Sequence, residues 1–184
     1  DSEKTRIYYD VKELAGDDMS LRCAVRIDKT ATGFSAENLT IENTYNYLGD
    51  GTKSNESADA LRNDANETSY INLRILGYQD TLCANAGTQY YYKCYIAGNV
   101  DFIYGNEPRA FFNDCKLVFR YSAAKRIQAM YQLLRHQPLQ HMVLHSLTVR
   151  FSQKRDAQEV SIILQDLGEQ MLILLGLTAI WVRY

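Results

Sequence analysis

A register of 21 residues constrains this chain more than any other feature. Leu73, Cys94 and Cys115 are 21 positions apart, and so are Ile75, Ile96 and Leu117. Each lies in a five-residue segment of one kind: Glu37-Asn38-Leu39-Thr40-Ile41, Ile71-Asn72-Leu73-Arg74-Ile75, Tyr92-Lys93-Cys94-Tyr95-Ile96 and Asn113-Asp114-Cys115-Lys116-Leu117. A polar residue, then Leu or Cys, then any residue, then Ile or Leu, is the alternation of a short strand with one buried face. Leu39 to Leu73 is 34 residues, which fits one unit carrying about 13 extra, and the polar stretch 49–64 offers a place for them. Short β units that stack like on like build a parallel β-helix. Only Pro108 interrupts the first 122 residues, as paired strands require. An antiparallel sandwich also uses short strands, but Asn-Gly hairpin turns are missing and a constant 21-residue register is not expected of it.

The length of 184 residues suits a single domain that buries about 70% of its unfolded surface. With 23% charged and 46% apolar residues the chain is globular rather than disordered. A net charge of -2 speaks against a nucleic-acid partner. No run of about 18 apolar residues is present to span a membrane, and the charged opening DSEKTR is no signal peptide. The cysteines at 23, 83, 94 and 115 lack CxxC spacing, so no metal site is expected from them. Composition breaks near residue 122. All eleven Asn and twelve of the fourteen Tyr precede the break, whereas eight of the ten Gln and all three His follow it. The first part holds 13 basic and 18 acidic residues, the second 7 and 4. The two parts, 1–122 and 123–184, therefore need separate treatment.

The register also aligns two carboxylates. Asp80 and Asp101 each lie five residues after an aligned isoleucine, so they take equivalent positions on successive turns about 4.8 Å apart. Two carboxylates that close do not both ionise readily, which suits one to attack while the other supplies a proton. Gln79 places an uncharged amide beside them, a donor for a developing oxyanion. Tyr78, Phe102 and Tyr104 add aromatic surfaces of the kind that stack on sugar rings. Asp and Asn also stack in β-helix turns simply to satisfy backbone groups, so spacing alone leaves both roles open. Cys94 and Cys115 share a register position too, which allows either a disulfide or two buried thiols.

The sequence around the aspartates goes further. GYQDTL at 77–82, GNVDFIYG at 98–105 and GFSAENLTIENT at 33–44 resemble signature stretches of the pectin methylesterases, and the likeness runs from about residue 23 to 120. The resemblance implies an all-β, right-handed parallel β-helix over about 20–122. It also implies an enzyme that hydrolyses the methyl esters of polygalacturonate to pectate and methanol without metal or cofactor. By that resemblance Asp101 matches the nucleophile, Asp80 the general acid and then base, and Gln79 an oxyanion donor. Methylesterified homogalacturonan would be the partner, met outside the cell by a monomer whose export signal is not in this chain. Ser57 stands where the family has a second oxyanion Gln, and Tyr104 where it has Phe. The family's Leu-Gly/Ala-Arg-Pro-Trp-Gly motif, whose Arg pairs with the nucleophile, is absent, which implies a fragment with little or no activity.

That absence and the break in composition can share one cause. A one-base change of reading frame turns permitted codons for 163–181 into a stretch opening Leu-Ala-Arg-Pro-Trp-Gly, and those for 142–151 into another Asn-Cys rung. A frame change between about 121 and 126 is therefore expected, making 123–184 an out-of-frame tail. Taken literally, 127–134 and 160–177 have helix-friendly composition. His136, His141 and His145 mimic a ligand cluster, interrupted by Pro138, and are expected to hold no metal. Two other classes compete. A β-helical lyase or polygalacturonase would share the fold, and a non-catalytic carbohydrate-binding β-helix would need no aspartate pair.

Overall fold

The computed structural model describes residues 1–10, 22–45, 57–106 and 109–120, together with the backbone of five later strands. The chain winds in turns of three strands. The first turn is β1 (Arg6–Tyr9), β2 (Cys23–Ile27) and β3 (Ser35–Glu37), and the second is β4 (Thr40–Asn43), β5 (Asp59–Asn63) and β6 (Thr68–Ile71). The third is β7 (Arg74–Leu76), β8 (Leu82–Ala84) and β9 (Thr88–Tyr92), and the fourth is β10 (Tyr95–Gly98), β11 (Ile103–Tyr104) and β12 (Arg109–Asn113). Then come β13 (Lys116–Phe119), β14 (Met142–His145) and β15 (Thr148–Phe151). Strands stack into three parallel sheets, ordered β1-β4-β7-β10-β13-β15, β2-β5-β8-β11 and β3-β6-β9-β12-β14. This is a parallel β-helix.

The 21-residue register is the ladder register. Ile41, Ile75, Ile96 and Leu117 are Cα partners down the first sheet, and Leu61, Leu82 and Ile103 down the second. All seven side chains are at most 6% exposed. In the third sheet Tyr70, Tyr91 and Phe112 stack with ring centroids 4.8 and 4.6 Å apart. Stacking identical positions lets each turn bury its apolar side chains against its neighbours, at about 1.5–3 kcal/mol per large side chain.

The repeating segments differ from the expected single strands: each is a corner. Asn38, Asn72, Lys93 and Asp114 adopt left-handed backbone, with φ between 51° and 58°. The chain leaves the third sheet before them and enters the first sheet two residues later. Leu73, Cys94 and Cys115, at 1% exposure or less, plug the corner from inside. Asn carries this conformation at low cost because its short amide bonds locally, and Asn72 Nδ2 donates to Asn38 Oδ1 at 2.7 Å.

Other expectations change as well. The extra residues of the second turn fall between β4 and β5, so 59–63 of the polar stretch is strand, with Leu61 in the core. Within 160–177, strands β16 (Leu164–Asp166) and β17 (Gln170–Leu175) replace the expected helices, because they pair antiparallel with each other and β17 with β18 (Thr178–Arg183). The segment 127–134, His136 and His141 lie outside the described residues, and His145 is described only as backbone. Cys94 and Cys115 are free thiols, with Sγ atoms donating to Tyr70 O at 3.3 Å and Tyr91 O at 3.5 Å. Among the described residues no helix is long and apolar enough to cross a membrane.

Candidate active site

The two aspartates sit at the corner joining the first sheet to the second. Asp80 lies between β7 and β8 and Asp101 between β10 and β11. Four backbone bonds lace these corners together: Gly77 N to Ala97 O, Asn99 N to Tyr78 O, Asp80 N to Val100 O and Leu82 N to Phe102 O, each 2.9 Å. Asp80 and Asp101 share left-handed backbone, φ 59° and 45°. Equal register and equal backbone start both carboxyls from equivalent points about 4.8 Å apart.

Thr81 fixes the corner from within. Its Oγ1 donates to Tyr78 O at 3.1 Å, with Ala97 O at 3.4 Å. The space it fills explains the glycine that opens the second motif. A Cβ on Gly98 would stand 2.3 Å from Thr81 Oγ1, 2.4 Å from Phe102 Cβ and 2.7 Å from Tyr78 O. Gly98→Ala should cost about 3 kcal/mol in urea unfolding, the cost of overpacking a tight core. A loss under about 1 kcal/mol would mean the corner is loosely packed.

Asp80 is 8% exposed, and Asp101 is half-buried. Burial pushes the Asp80 carboxyl up to about 6; the Ser57 hydroxyl favours the ionised form, the Asp101 charge opposes it, and the Gln79 side chain favours it again. Ser57 Oγ and Gln79 Oε1 are nevertheless buried without a partner at full hydrogen-bond length. Orphaned polar atoms are rare in native interiors and call for a cause. Here both flank the Asp80 carboxyl, where an incoming polar group would satisfy them.

The aromatic residues divide. Tyr78 is half-buried, and the Arg120 guanidinium lies over its ring at 4.9 Å while donating to Gly77 O at 3.0 Å. Phe102 departs from the expected sugar-stacking role. At 1% exposure it packs edge-on against Phe119 at 4.8 Å, so its ring supports the corner from the core. Tyr104 turns its hydroxyl to Asp59, donating to Oδ1 at 2.9 Å. Sequence reasoning missed Arg120 and Asp59, although the register marked both. Arg120 follows Tyr78 and Asn99 at steps of 21, and Asp59 precedes Asp80 and Asp101 at the same step.

Comparison with known proteins bears on this corner directly. A family model described as Pectinesterase matches residues 2–163. The chain belongs to the pectinesterase family. Over 97 residues, 53% of this chain and 24% of the relative, it is 39% identical to Pectinesterase QRT1 of Arabidopsis thaliana. The pectin methylesterase from carrot shares the fold, with a TM-score of 0.63 at 22% identity, over 80% of this chain and 44% of that one. A pectin methylesterase crystallised in complex with a hexasaccharide matches at TM-score 0.59 and 29% identity, over 69% of this chain and 41% of that one. The chain spans about a quarter of the length of the curated pectinesterases it matches.

Proposed function

We propose that this corner is the reaction centre of a pectin methylesterase, an extracellular enzyme that hydrolyses methyl-esterified homogalacturonan to pectate and methanol. The observation that carries this is the pair of left-handed aspartates in ladder register, one of them buried with its carboxyl pushed up to about 6. In this proposal an ionised Asp101 oxygen attacks the ester carbonyl. The Gln79 amide and the Ser57 hydroxyl donate to the oxyanion that develops. Protonated Asp80 hands its proton to the departing methoxide, releasing methanol and leaving an acyl-Asp101 anhydride. Asp80, now a carboxylate, takes a proton from water. The resulting hydroxide attacks the acyl carbon and the acyl–Asp101 bond breaks, freeing the Asp101 carboxylate and a galacturonic acid group that loses its proton to solvent. Tyr78, stiffened by Arg120, is the aromatic wall for the sugar.

The proton bookkeeping fixes a pH dependence. Methanol departure needs Asp80 protonated, so kcat/KM for methanol release should decline above about pH 6, by up to tenfold per unit. Stability shifts the same way. The folded state holds this proton more tightly than the unfolded chain, so the stabilisation it brings is present at low pH and lost as pH rises through about 6. A profile of kcat/KM on esterified pectin that stays flat from pH 5 to 8 would remove Asp80 from the acid role.

A further inference from the structure

A third aspartate stands in the ladder. Asp59, Asp80 and Asp101 follow one another at steps of 21, each two positions before the aligned Leu61, Leu82 and Ile103. Asp59 differs from the other two in being fully buried, at 0% exposure. Its Oδ1 accepts from Tyr104, 45 residues away and two turns along, while its Oδ2 has no partner. That bond reaches from the turn carrying Ser57 to the turn carrying Asp101, across the turn carrying Asp80. Asn43 Nδ2 donates to the Asp59 backbone carbonyl at 3.0 Å and pins the strand start. An ionised carboxylate with one oxygen orphaned in the interior is far costlier than a protonated one.

We propose that Asp59 is a positioning residue of the acid–base pair: Tyr104 clamps it one turn behind Asp80, and its charge state controls how readily Asp80 gives up its proton. The inference rests on the acid–base assignment of Asp80. The groups facing Asp59 are Asp80 at the neighbouring corner, Tyr104 on β11, Cys83 on β8, Cys23 on β2, and Arg62 and Asp64 on its own turn. Arg62 and Asp64 pair with each other at 3.2 Å, and Arg26 joins Asp64 at 3.0 Å, so the nearby cation is largely spoken for. Burial pushes the Asp59 carboxyl up to about 8; the Tyr104 hydroxyl pulls it down and the Asp80 charge pushes it up. Near neutral pH the pair therefore works above a neutral Asp59. When Asp59 ionises, a second negative charge one turn away holds the proton on Asp80 and slows the step in which Asp80 acts as acid.

The test is a titration of the whole chain, labelled with carbon-13 at the aspartate carboxyls and followed by NMR from pH 4 to 10. The expected result is a carboxyl that titrates near 8 and disappears in Asp59→Asn, which keeps the shape and can still accept from Tyr104. The Asp80 signal should show its main step near 6 and a smaller one near 8, and only the main step in Asp59→Asn. Tyr104→Phe should move the Asp59 step upward by half a unit or more, since a donor to the charged form is lost. Should Asp59→Asn fail to fold, Tyr104→Phe and the parent's own two-step curve still decide. Asp59 titrating below pH 5, or a one-step Asp80 curve in the parent, overturns the proposal. No substrate enters this titration, so it is separate from the assay of Asp101: an active Asp101→Asn variant would sink the esterase assignment and leave the Asp59–Asp80 coupling standing.

Discussion

Asp101→Asn is expected to reduce methanol release from methyl-esterified pectin by at least about 10³-fold, to the buffer background, which is about 4 kcal/mol of transition-state stabilisation. The parent rate is itself expected to be low, because the family's arginine motif is missing from the sequence as it stands, so the assay needs high enzyme concentration. The amide matches the carboxylate in shape and tolerates the left-handed backbone found at 101, so the free energy of urea unfolding should change by less than about 0.5 kcal/mol. What is lost is the nucleophile, since a neutral amide does not form the acyl intermediate. A second effect follows at Asp80, whose carboxyl falls once the neighbouring negative charge is gone. Binding of a partly esterified hexagalacturonate should stay within about twofold of the parent, because shape and hydrogen-bonding capacity are retained. This separates a catalyst from a carbohydrate-binding β-helix. A variant within tenfold of the parent rate would make Asp101 a corner residue like Asn38 and Asn72, filling a left-handed position for the sake of the backbone.

The ladder was legible because stacking turns repeat the same inward side chain at the same count, and apolar identity survives in sequence. Ile75, Ile96 and Leu117 announce their pairing that way, and so do the aspartates. The corners were less legible. Asn38-Leu39-Thr40 alternates like a strand, but its left-handed Asn turns the chain between sheets, and alternation cannot distinguish a strand from a one-residue corner. Asp59 is less legible because the long connection between β4 and β5 puts it 18 residues after Ile41, where Asp80 and Asp101 stand five after Ile75 and Ile96. Phe102 was misplaced for a related reason. A motif gives neighbours in sequence, whereas the half-turn after Asp101 points alternate residues into the core and out of it, and Phe102 faces Phe119. Helix propensity failed over 160–177 because pairing between strands overrides the weak preferences of single residues. The family match reaches residue 163, past the break in composition at 122, and β14 and β15 pair in parallel with β12 and β13.

The second large effect concerns the aromatic stack behind the site. Tyr91→Ala should lower the free energy of unfolding by about 4 kcal/mol, seen as a lower urea midpoint with an unchanged slope. Tyr91 is fully buried between Tyr70 and Phe112. Its removal leaves a cavity one ring wide and breaks two stacked contacts, each worth about 0.5–1.5 kcal/mol beyond burial. It also strands the buried Gln89, whose Oε1 accepts from the Tyr91 hydroxyl at 2.6 Å. Tyr92, next in sequence and half-buried, provides the control: Tyr92→Ala should cost about 1 kcal/mol, since its ring stacks with Tyr90 at 6.2 Å outside the core cluster. In a stacked architecture stability passes from turn to turn, and β9, which carries Tyr91, completes the turn that begins with β7 and the Asp80 corner. A loss near 4 kcal/mol is a large fraction of a domain's total of about 5–15, so Tyr91→Ala should also bring the Asp80 carboxyl back toward the ordinary carboxylate range as its turn loosens. If Tyr91→Ala cost no more than Tyr92→Ala, the interior stack would contribute nothing beyond its exposed neighbours, and the rigidity that keeps the aspartates in register would have to come from the backbone ladders alone.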